Sequence, residues 1–408
     1  MGLGGGIAAY KTLELIRRLR EAGASIIPVA TEAALQFVTG VTLQALSGTP
    51  LRNALFAPLE ADGMDHIRLA READLVIVAP ATADLLARMA QGQADDLLTA
   101  LLLARRGPVL VAPAMNPAMW EHPATRRNVT TLQEDGIHFI GPEPGAMACG
   151  ESGTGRMAEP ATIQESARRI LTPKILAGRR LLITAGPTRE ELDPVRFISN
   201  HSSGKMGWEL TLAALRAGAQ VELIHGPVTL PPPMGALLHP VTSACQMLDA
   251  TLNAWLGTAN GPRCDAAILT AAVADYRPEQ RQHDKIKKTD ATSAPHLTLT
   301  QNPDILAMLS AWSGVRPRDG RPRVIVGFAA ETGDALARGH AKRIRKGCDL
   351  LAINDVTAPG CGFGTDTNGV TLIGRDGREE VWPLQSKERV AERLIAAVAE
   401  LVSHPRSL

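Results

Sequence analysis

Cysteine is scarce and unpaired in this chain: Cys149, Cys245, Cys264, Cys348 and Cys361 are odd in number and scattered through 408 residues. No two stand at the C-x-x-C spacing of zinc or redox motifs, which argues against a disulfide framework and for a reducing, cytoplasmic setting. A charge excess is missing too. The 43 Lys and Arg residues are balanced by 42 Asp and Glu, so no broad basic surface is available for nucleic acid or an anionic membrane. Phosphate recognition, if present, must be local. No apolar run reaches the roughly 18 residues of a membrane span, and no basic leader with an apolar core opens the chain. A soluble, unprocessed protein of about two to three domains is expected.

Short β-rich runs alternate with amphipathic helical stretches, which predicts parallel sheets with crossover helices. The first half shows "SIIPVAT", "DLVIVAP" and "GPVLVAP". Between them "KTLELIRRLREAG" puts Leu15, Ile16 and Leu19 on one helical face and stops at Gly23. A second series runs through "RRLLITAGPT", "QVELIHG", "DAAILTAAVADY", "PRVIVGFAAE" and "CDLLAINDV". The expected fold class is α/β: two doubly wound, Rossmann or flavodoxin-like, three-layer domains with mainly parallel sheets. Pro173 and Gly178 punctuate the join, giving domains 1–173 and 178–408. Ligands of such sheets collect beyond the carboxyl ends of the strands.

Those strand ends carry the candidate chemistry. "GGGIAAYK" opens a helix with glycines, where amides and the helix dipole favour a phosphate, although a plain tight turn reads the same way. Thr82, Asp95, Asp96 and Thr99 follow "LVIV" and suit a cofactor better than a core. Asn116 comes directly after "VLVA", where its amide can fix a carboxylate. His66, alone, reads more readily as structural. Cys149 stands in the glycine-rich "ACGESGTGRMAEP" with Arg156 close behind; it is either a small buried thiol or a proton donor on a closing loop.

In the second half "SNHSSGKMG" (199–207) looks like part of a phosphate-binding loop but has Met206 where that motif needs Ser or Thr. Its backbone can still bind an anion. Asp275 follows the strand "AAILT", within reach of a nucleotide or metal at the sheet edge. "DKIKK" and "HAKRIRKG" are lysine clusters that, in isolation, read as solvated surface.

The order of these motifs is specific. "GGIAAYK", His66, "PAMNPAM" and "ACGESGTGRM" resemble the flavin-containing cysteine decarboxylases. "ITAGPTREELDPVRFISNHSSGKMG", "AAVADYR", "KIKK", "NPDIL", "GFAAET" and "INDV" resemble the phosphopantothenate–cysteine ligases. Together they cover nearly the whole chain and are similar to the bifunctional coenzyme A biosynthesis family of bacteria. The resemblance implies FMN and an oxidative decarboxylation through a thioaldehyde, which gives the electrons left by CO2 somewhere to go. In that reading Cys149 protonates, Asn116 grips the departing carboxylate and His66 works beside the flavin. Gly5, Gly6, Thr31, Thr82, Asp95, Asp96 and Thr99 are the implied FMN contacts, and Asn116, Arg156 and Met157 the implied substrate contacts.

For the ligase half the resemblance implies an acyl-cytidylate made from 4′-phosphopantothenate and CTP with Mg2+, then attack by cysteine. Asn200 and Lys285 would act on that intermediate and its formation. Thr270, Ala271, Asp275, Lys285, Asn302, Pro303, Asp304, Ile305, Phe328, Lys342 and Lys346 would hold CTP, with Asp275 near the metal. Homo-oligomers are also implied, trimers through the first domain and dimers through the second. Two departures from the family pattern concern the start: the first strand is expected to be truncated, and Gly4 stands where serine is usual. The retained Cys149, Asn116 and His66 favour a start placed too late. The competing readings are a ligase whose first domain is only a scaffold, and a flavin-fold regulatory protein without turnover.

Overall fold

Runs of β-branched and aliphatic residues become fully buried strands in both halves of the chain. The computed structural model describes residues 1–55, 64–147, 150–257, 263–286, 296–313, 323–331, 335–355, 357–362 and 364–403. These divide into two units, Met1–Thr172 and Pro173–Leu408.

In the first unit, β1 (Gly2–Leu3), β2 (Val29–Ala30), β3 (Val76–Ala81), β4 (Val109–Pro113) and β5 (His138–Phe139) form a parallel sheet in the order β2-β1-β3-β4-β5. Every residue of β3 and β4 is buried, as expected for parallel strands covered on both faces. β1 has just two residues yet lies between β2 and β3, with Leu3 fully buried. Helix Ala9–Glu21 buries Leu15, Ile16 and Leu19, the face its periodicity predicts, and Ile163 and Ala167 of helix Pro160–Leu171 join the same core. An antiparallel pair, β6 (Glu143–Ala146) and β7 (Ser152–Arg156), stands apart from the sheet.

The second unit is built on eight strands: β8 (Arg180–Ala185), β11 (Gln220–His225), β12 (Leu237–Pro240), β13 (Ala266–Leu269), β16 (Val324–Glu331), β17 (Leu350–Asp355), β18 (Thr367–Gly374) and β19 (Glu379–Ser386). Their order is β12-β11-β8-β13-β16-β17-β18-β19. The first six are parallel, and β18 and β19 continue the sheet antiparallel. Alternation along β8 shows how both faces are used. Leu181 and Ile183 pack with Trp208 and Val390 on one side, and Leu182 packs with Met247 and Trp255 on the other. Two short antiparallel pairs decorate the carboxyl side: β9 (Arg189–Glu191) with β10 (Phe197–Ser199), and β14 (Tyr276–Pro278) with β15 (Leu299–Gln301). Both units therefore have the α/β architecture with mainly parallel sheets.

In each sheet the chain leaves the first strand toward one side and later returns on the other, which opens a crevice between β1 and β3 and another between β8 and β13. Helix Lys205–Arg216 enters the second crevice at close range. A methyl group on Gly207 would lie 2.4 Å from the Ala185 Cβ and 2.9 Å from the Thr270 Oγ1. Gly207→Ala should therefore cost about 1–3 kcal/mol by overpacking, read as a lower urea midpoint for the second unit. An unchanged midpoint would show that this approach is not tight.

Candidate active sites

Each crevice holds a cavity. In the first unit it measures about 660 Å3 and is lined by the turn Gly4–Gly6, by Thr31 after β2, by Thr82 after β3 and by Asn116 after β4. Arg156 and Met157 close it from the β7 side. The glycines are a steric requirement. A Cβ on Gly5 would sit 2.4 Å from that of Ala33, and one on Gly4 would sit 2.7 Å from the Pro80 carbonyl oxygen. Serine at position 4 would thus crowd β3, and the cradle is made of the backbone from Gly5 to Ala8, just ahead of helix Ala9–Glu21, whose own first amides at Ala9 and Lys11 donate to the carbonyls of Gly6 and Ala8 at 3.0 Å. This is the donor set that suits a phosphate-bearing cofactor such as a flavin nucleotide.

Caps fix the polar side chains around it. Thr82 Oγ1 accepts from the Leu85 amide at 3.2 Å. Asn116 caps helix Pro117–Glu121: its Oδ1 accepts from the Ala118 amide at 2.8 Å, and its Nδ2 donates to Glu151 Oε2 at 2.6 Å. The Asn116 amide therefore already holds a carboxylate. On the rim, Lys11 donates to Glu159 Oε1 at 2.7 Å and Arg156 donates to the same oxygen at 3.2 Å.

Three expected contacts are absent from this lining. Asp96 and Thr99 are joined in a capping box that starts helix Leu97–Ala104, and Asp95 and Asp96 receive hydrogen bonds from Arg88 at 3.1 and 2.7 Å. Burial pushes the Asp96 carboxyl up, but the bonds from Thr99 and Arg88 outweigh it and hold it below its usual value. Arg88 is the residue that reaches the cavity. Short polar residues at a strand end are also what a helix cap needs, and here the cap claims them. His66 likewise does not line the cavity; it sits on helix Asp65–Glu72 with a buried Nδ1 that has no hydrogen-bond partner among the described residues. Cys149 lies outside the described residues.

The second cavity, about 810 Å3, lies at the carboxyl ends of β8, β13, β16 and β17. It gathers Asn200, Thr270, Ala271, Asp275, Phe328, Lys342 and Lys346, together with the turn from Asn302 to Ile305. Asn200 Nδ2 donates to the Val273 carbonyl at 2.9 Å, and Asn302 Nδ2 to that of Ala274 at 2.8 Å, so the two amides brace the strand exit before Asp275. Lys342 pairs with Glu331 at 2.8 Å, and Lys346 pairs with Asp304. Burial raises the Asp304 carboxyl, but Lys346 and the Ala307 amide more than offset this and hold it low. Among the described residues no group of three or more His, Cys, Asp or Glu side chains is placed to hold a metal. Asp275 contributes one carboxylate to the cavity.

Sequence reasoning missed Lys205, Arg345, Asn354 and Lys387, which also line this space. Lys205 was visible in "SNHSSGKMG", but Lys387 is some 180 residues distant and enters only because its helix starts at the sheet edge. Lys285 is exposed and outside the lining; Lys287 and Lys288 of the same cluster lie outside the described residues. The described cysteines are free, and burial pushes Cys264 up to about 12 and Cys348 up to about 11, leaving both as thiols near neutrality. No helix among the described residues is long and apolar enough to cross a membrane.

Comparison with known proteins agrees with this division. The flavoprotein family model matches residues 1–172, and that of the DNA/pantothenate metabolism flavoprotein C-terminal domain matches residues 176–402. The chain is 45% identical over 404 residues to the coenzyme A biosynthesis bifunctional protein CoaBC of Vibrio vulnificus, covering 99% of this chain and 98% of that one. It is 46% identical over 398 residues to the protein of that name from Escherichia coli K12, covering 97% and 95%. Among solved structures, the C-terminal domain of a CoaBC protein is 33% identical with a TM-score of 0.46, over 56% of this chain and 98% of that one. A PPC decarboxylase mutant complexed with pantothenoylaminoethenethiol is 34% identical with a TM-score of 0.38, over 41% and 93%.

Next to Lys285, a buried carboxylate organises the exposed edge of the second unit. Asp193 accepts from the amides of Val195, Arg196 and Ile286 at 2.8, 2.9 and 3.1 Å, and from Arg196 Nε at 2.9 Å. Burial pushes its pKa up, but the Arg196 guanidinium and these three amides prevail and hold it well below the usual carboxylate range. Such a depressed carboxylate stabilises the fold fully above its unfolded pKa of about 3.9 and loses that contribution as pH falls through the folded value. Amide-exchange protection at Val195, Arg196 and Ile286 should therefore persist at about pH 5 and collapse only in stronger acid. Asp193→Asn should weaken the protection at neutral pH and remove its acid dependence; full protection in that variant would contradict the clamp.

Proposed function

The chain belongs to the family of bifunctional coenzyme A biosynthesis proteins, and from that premise we propose that each cavity carries one of its two reactions. The enzyme combines a phosphopantothenoylcysteine decarboxylase with a phosphopantothenate–cysteine ligase, using FMN for the first reaction and CTP with Mg2+ for the second. The observation that carries the assignment is the convergence of five dispersed segments, from Asn200 to Lys346, on the second cavity.

In the second unit the carboxylate of 4′-phosphopantothenate attacks the α-phosphorus of CTP, and the bond to pyrophosphate breaks. The amine of cysteine then attacks the acyl carbon and CMP leaves. Lys342, Arg345 and Lys346 offset the charge of the polyphosphate, which is where such electrostatic help lowers a barrier most. Lys342 and Lys346 exchange Glu331 and Asp304 for the ligand as it enters. Asp275 supplies the carboxylate that would hold the Mg2+ bound to the triphosphate, and the braced Asn302–Ile305 turn offers backbone groups to the cytosine edge. Asn200 contacts the acyl-cytidylate. Lys285 assists cytidylate formation from the exposed edge that Asp193 and Arg196 anchor.

In the first unit Gly5, Gly6, Thr31 and Thr82 hold FMN, with Asp95, Asp96 and Thr99 acting through Arg88. When bound, the flavin supplies oxidation of the cysteinyl thiol and returns the electrons after CO2 is lost. Asn116 Nδ2 receives the substrate carboxylate in place of Glu151, Arg156 and Met157 hold the rest of the substrate, and the Cys149 thiol delivers the final proton. His66 works beside the flavin. Its position outside the lining of its own cavity supports completion of that site by a neighbouring copy, as do the exposed Ile7, Tyr10, Phe37 and Val41. Trimers through the first unit are thus proposed, and dimers through the second, where Val195, Phe197, Tyr276 and Leu299 are exposed. Free thiols support a cytoplasmic location.

Two variants test these roles. Asn200→Asp should accumulate acyl-cytidylate detectable by mass spectrometry after rapid quench; a variant that turns over without it would remove Asn200 from the mechanism. Cys149→Ser should release CO2 yet stall at the oxidised, decarboxylated product, and normal 4′-phosphopantetheine formation would reassign the proton donor.

A further inference from the structure

Lys387 is a buried cation in an unfavourable place for one. It opens helix Lys387–Ser403, where the helix dipole disfavours positive charge, and it is 6% exposed. Burial and then the nearby charge of Lys205 push its pKa down. A methionine of similar length would fill the space without that desolvation cost, so what the ammonium does in place is the informative point.

Its contacts answer this. Lys387 Nζ donates to the carbonyl oxygens of Gly362, at 3.4 Å, and of Thr365, while its backbone amide donates to that of Asp366 at 2.9 Å. The same turn holds a second lysine: Lys205 Nζ donates to the Gly364 carbonyl at 3.0 Å and to Asp366 Oδ1 at 2.6 Å. Lys205 and Lys387 both line the ligase cavity. One lysine therefore fixes the turn, and the turn fixes the other lysine at the start of helix Lys205–Arg216, where helix amides also favour an anion.

We propose that Lys387 is a positioning residue for nucleotide binding: its ammonium holds the carbonyls of Gly362 and Thr365, and so steadies the neighbouring Gly364 carbonyl and Asp366 carboxylate that seat the Lys205 ammonium at the part of the cavity that receives the triphosphate of CTP. The inference rests on the second cavity being the CTP site. Lys387 touches no ligand in this scheme. Its effect on affinity passes entirely through Lys205, which sets it apart from a residue that merely staples the fold.

A double-mutant cycle on the full chain separates the two. CTP affinity is measured calorimetrically with Mg2+ for the wild type, Lys205→Met, Lys387→Met and the double variant, alongside thermal melting. Lys387→Met should weaken CTP binding about tenfold, the scale of one charge-assisted hydrogen bond, and should have no further effect once Lys205 is methionine. The same loss in both backgrounds, or a lower melting temperature with unchanged affinity, would overturn the inference. Should Lys387→Met fail to fold, Asp366→Asn takes its place in the cycle, since that side chain is 87% exposed; additivity with Lys205→Met would again overturn it. Absence of CTP binding by the wild type would defeat the site assignment itself, a result distinct from an additive cycle.

Discussion

Both cavities depend on one constraint, the close approach of a helix start to the carboxyl edge of a parallel sheet. Side chains would prevent it. A Cβ on Gly4 would lie 2.7 Å from the Pro80 carbonyl oxygen of β3 in the first unit, and one on Gly207 would lie 2.4 Å from the Ala185 Cβ of β8 in the second. Removing the side chain lets the backbone of the turn that leads into the helix become the wall of the cavity. Everything polar in the two sites is arranged around that contact, on the turns that follow adjacent strands.

The charge distribution follows from the overall balance of the chain. With 43 basic and 42 acidic residues, attraction for phosphates must come from local clusters, each offset by its own carboxylates. Lys346 rests on Asp304, Lys342 on Glu331, Lys205 on Asp366, and Arg88 on Asp96. Such pairs keep cations in place without a ligand, and each can exchange one anion for another at modest cost because the pairs are partly exposed. The contact between Asn116 and Glu151 repeats this logic with a neutral donor.

Legibility in the sequence followed the range of the interactions. Strands β8, β11, β13, β16 and β17 were readable because parallel strands buried on both faces appear as continuous apolar runs. The antiparallel β18 and β19 were not: in Glu379–Ser386 exposed and partly buried residues surround a single fully buried Trp382, and nothing local says which sheet it joins. Asn116 and Asp275 were legible because they follow β4 and β13 within a few residues, whereas Asn200 was named through the motif it shares with the ligases. Asp95, Asp96 and Thr99 were placed in the right region, yet the hydrogen bonds that close a capping box turn them toward their own helix and toward Arg88. Lys387 is beyond local reading, since only the assembled sheet brings it beside Lys205. The crowding at Gly4 explains why a glycine serves there.

Whether both reactions occur in this one chain is decided by product mass spectrometry. The purified 408-residue protein would be given 4′-phosphopantothenate, cysteine, CTP, Mg2+ and FMN. 4′-Phosphopantetheine is the expected end product. Accumulation of 4′-phospho-N-pantothenoylcysteine with no further conversion would contradict this expectation, leaving a working ligase joined to a first unit that only scaffolds.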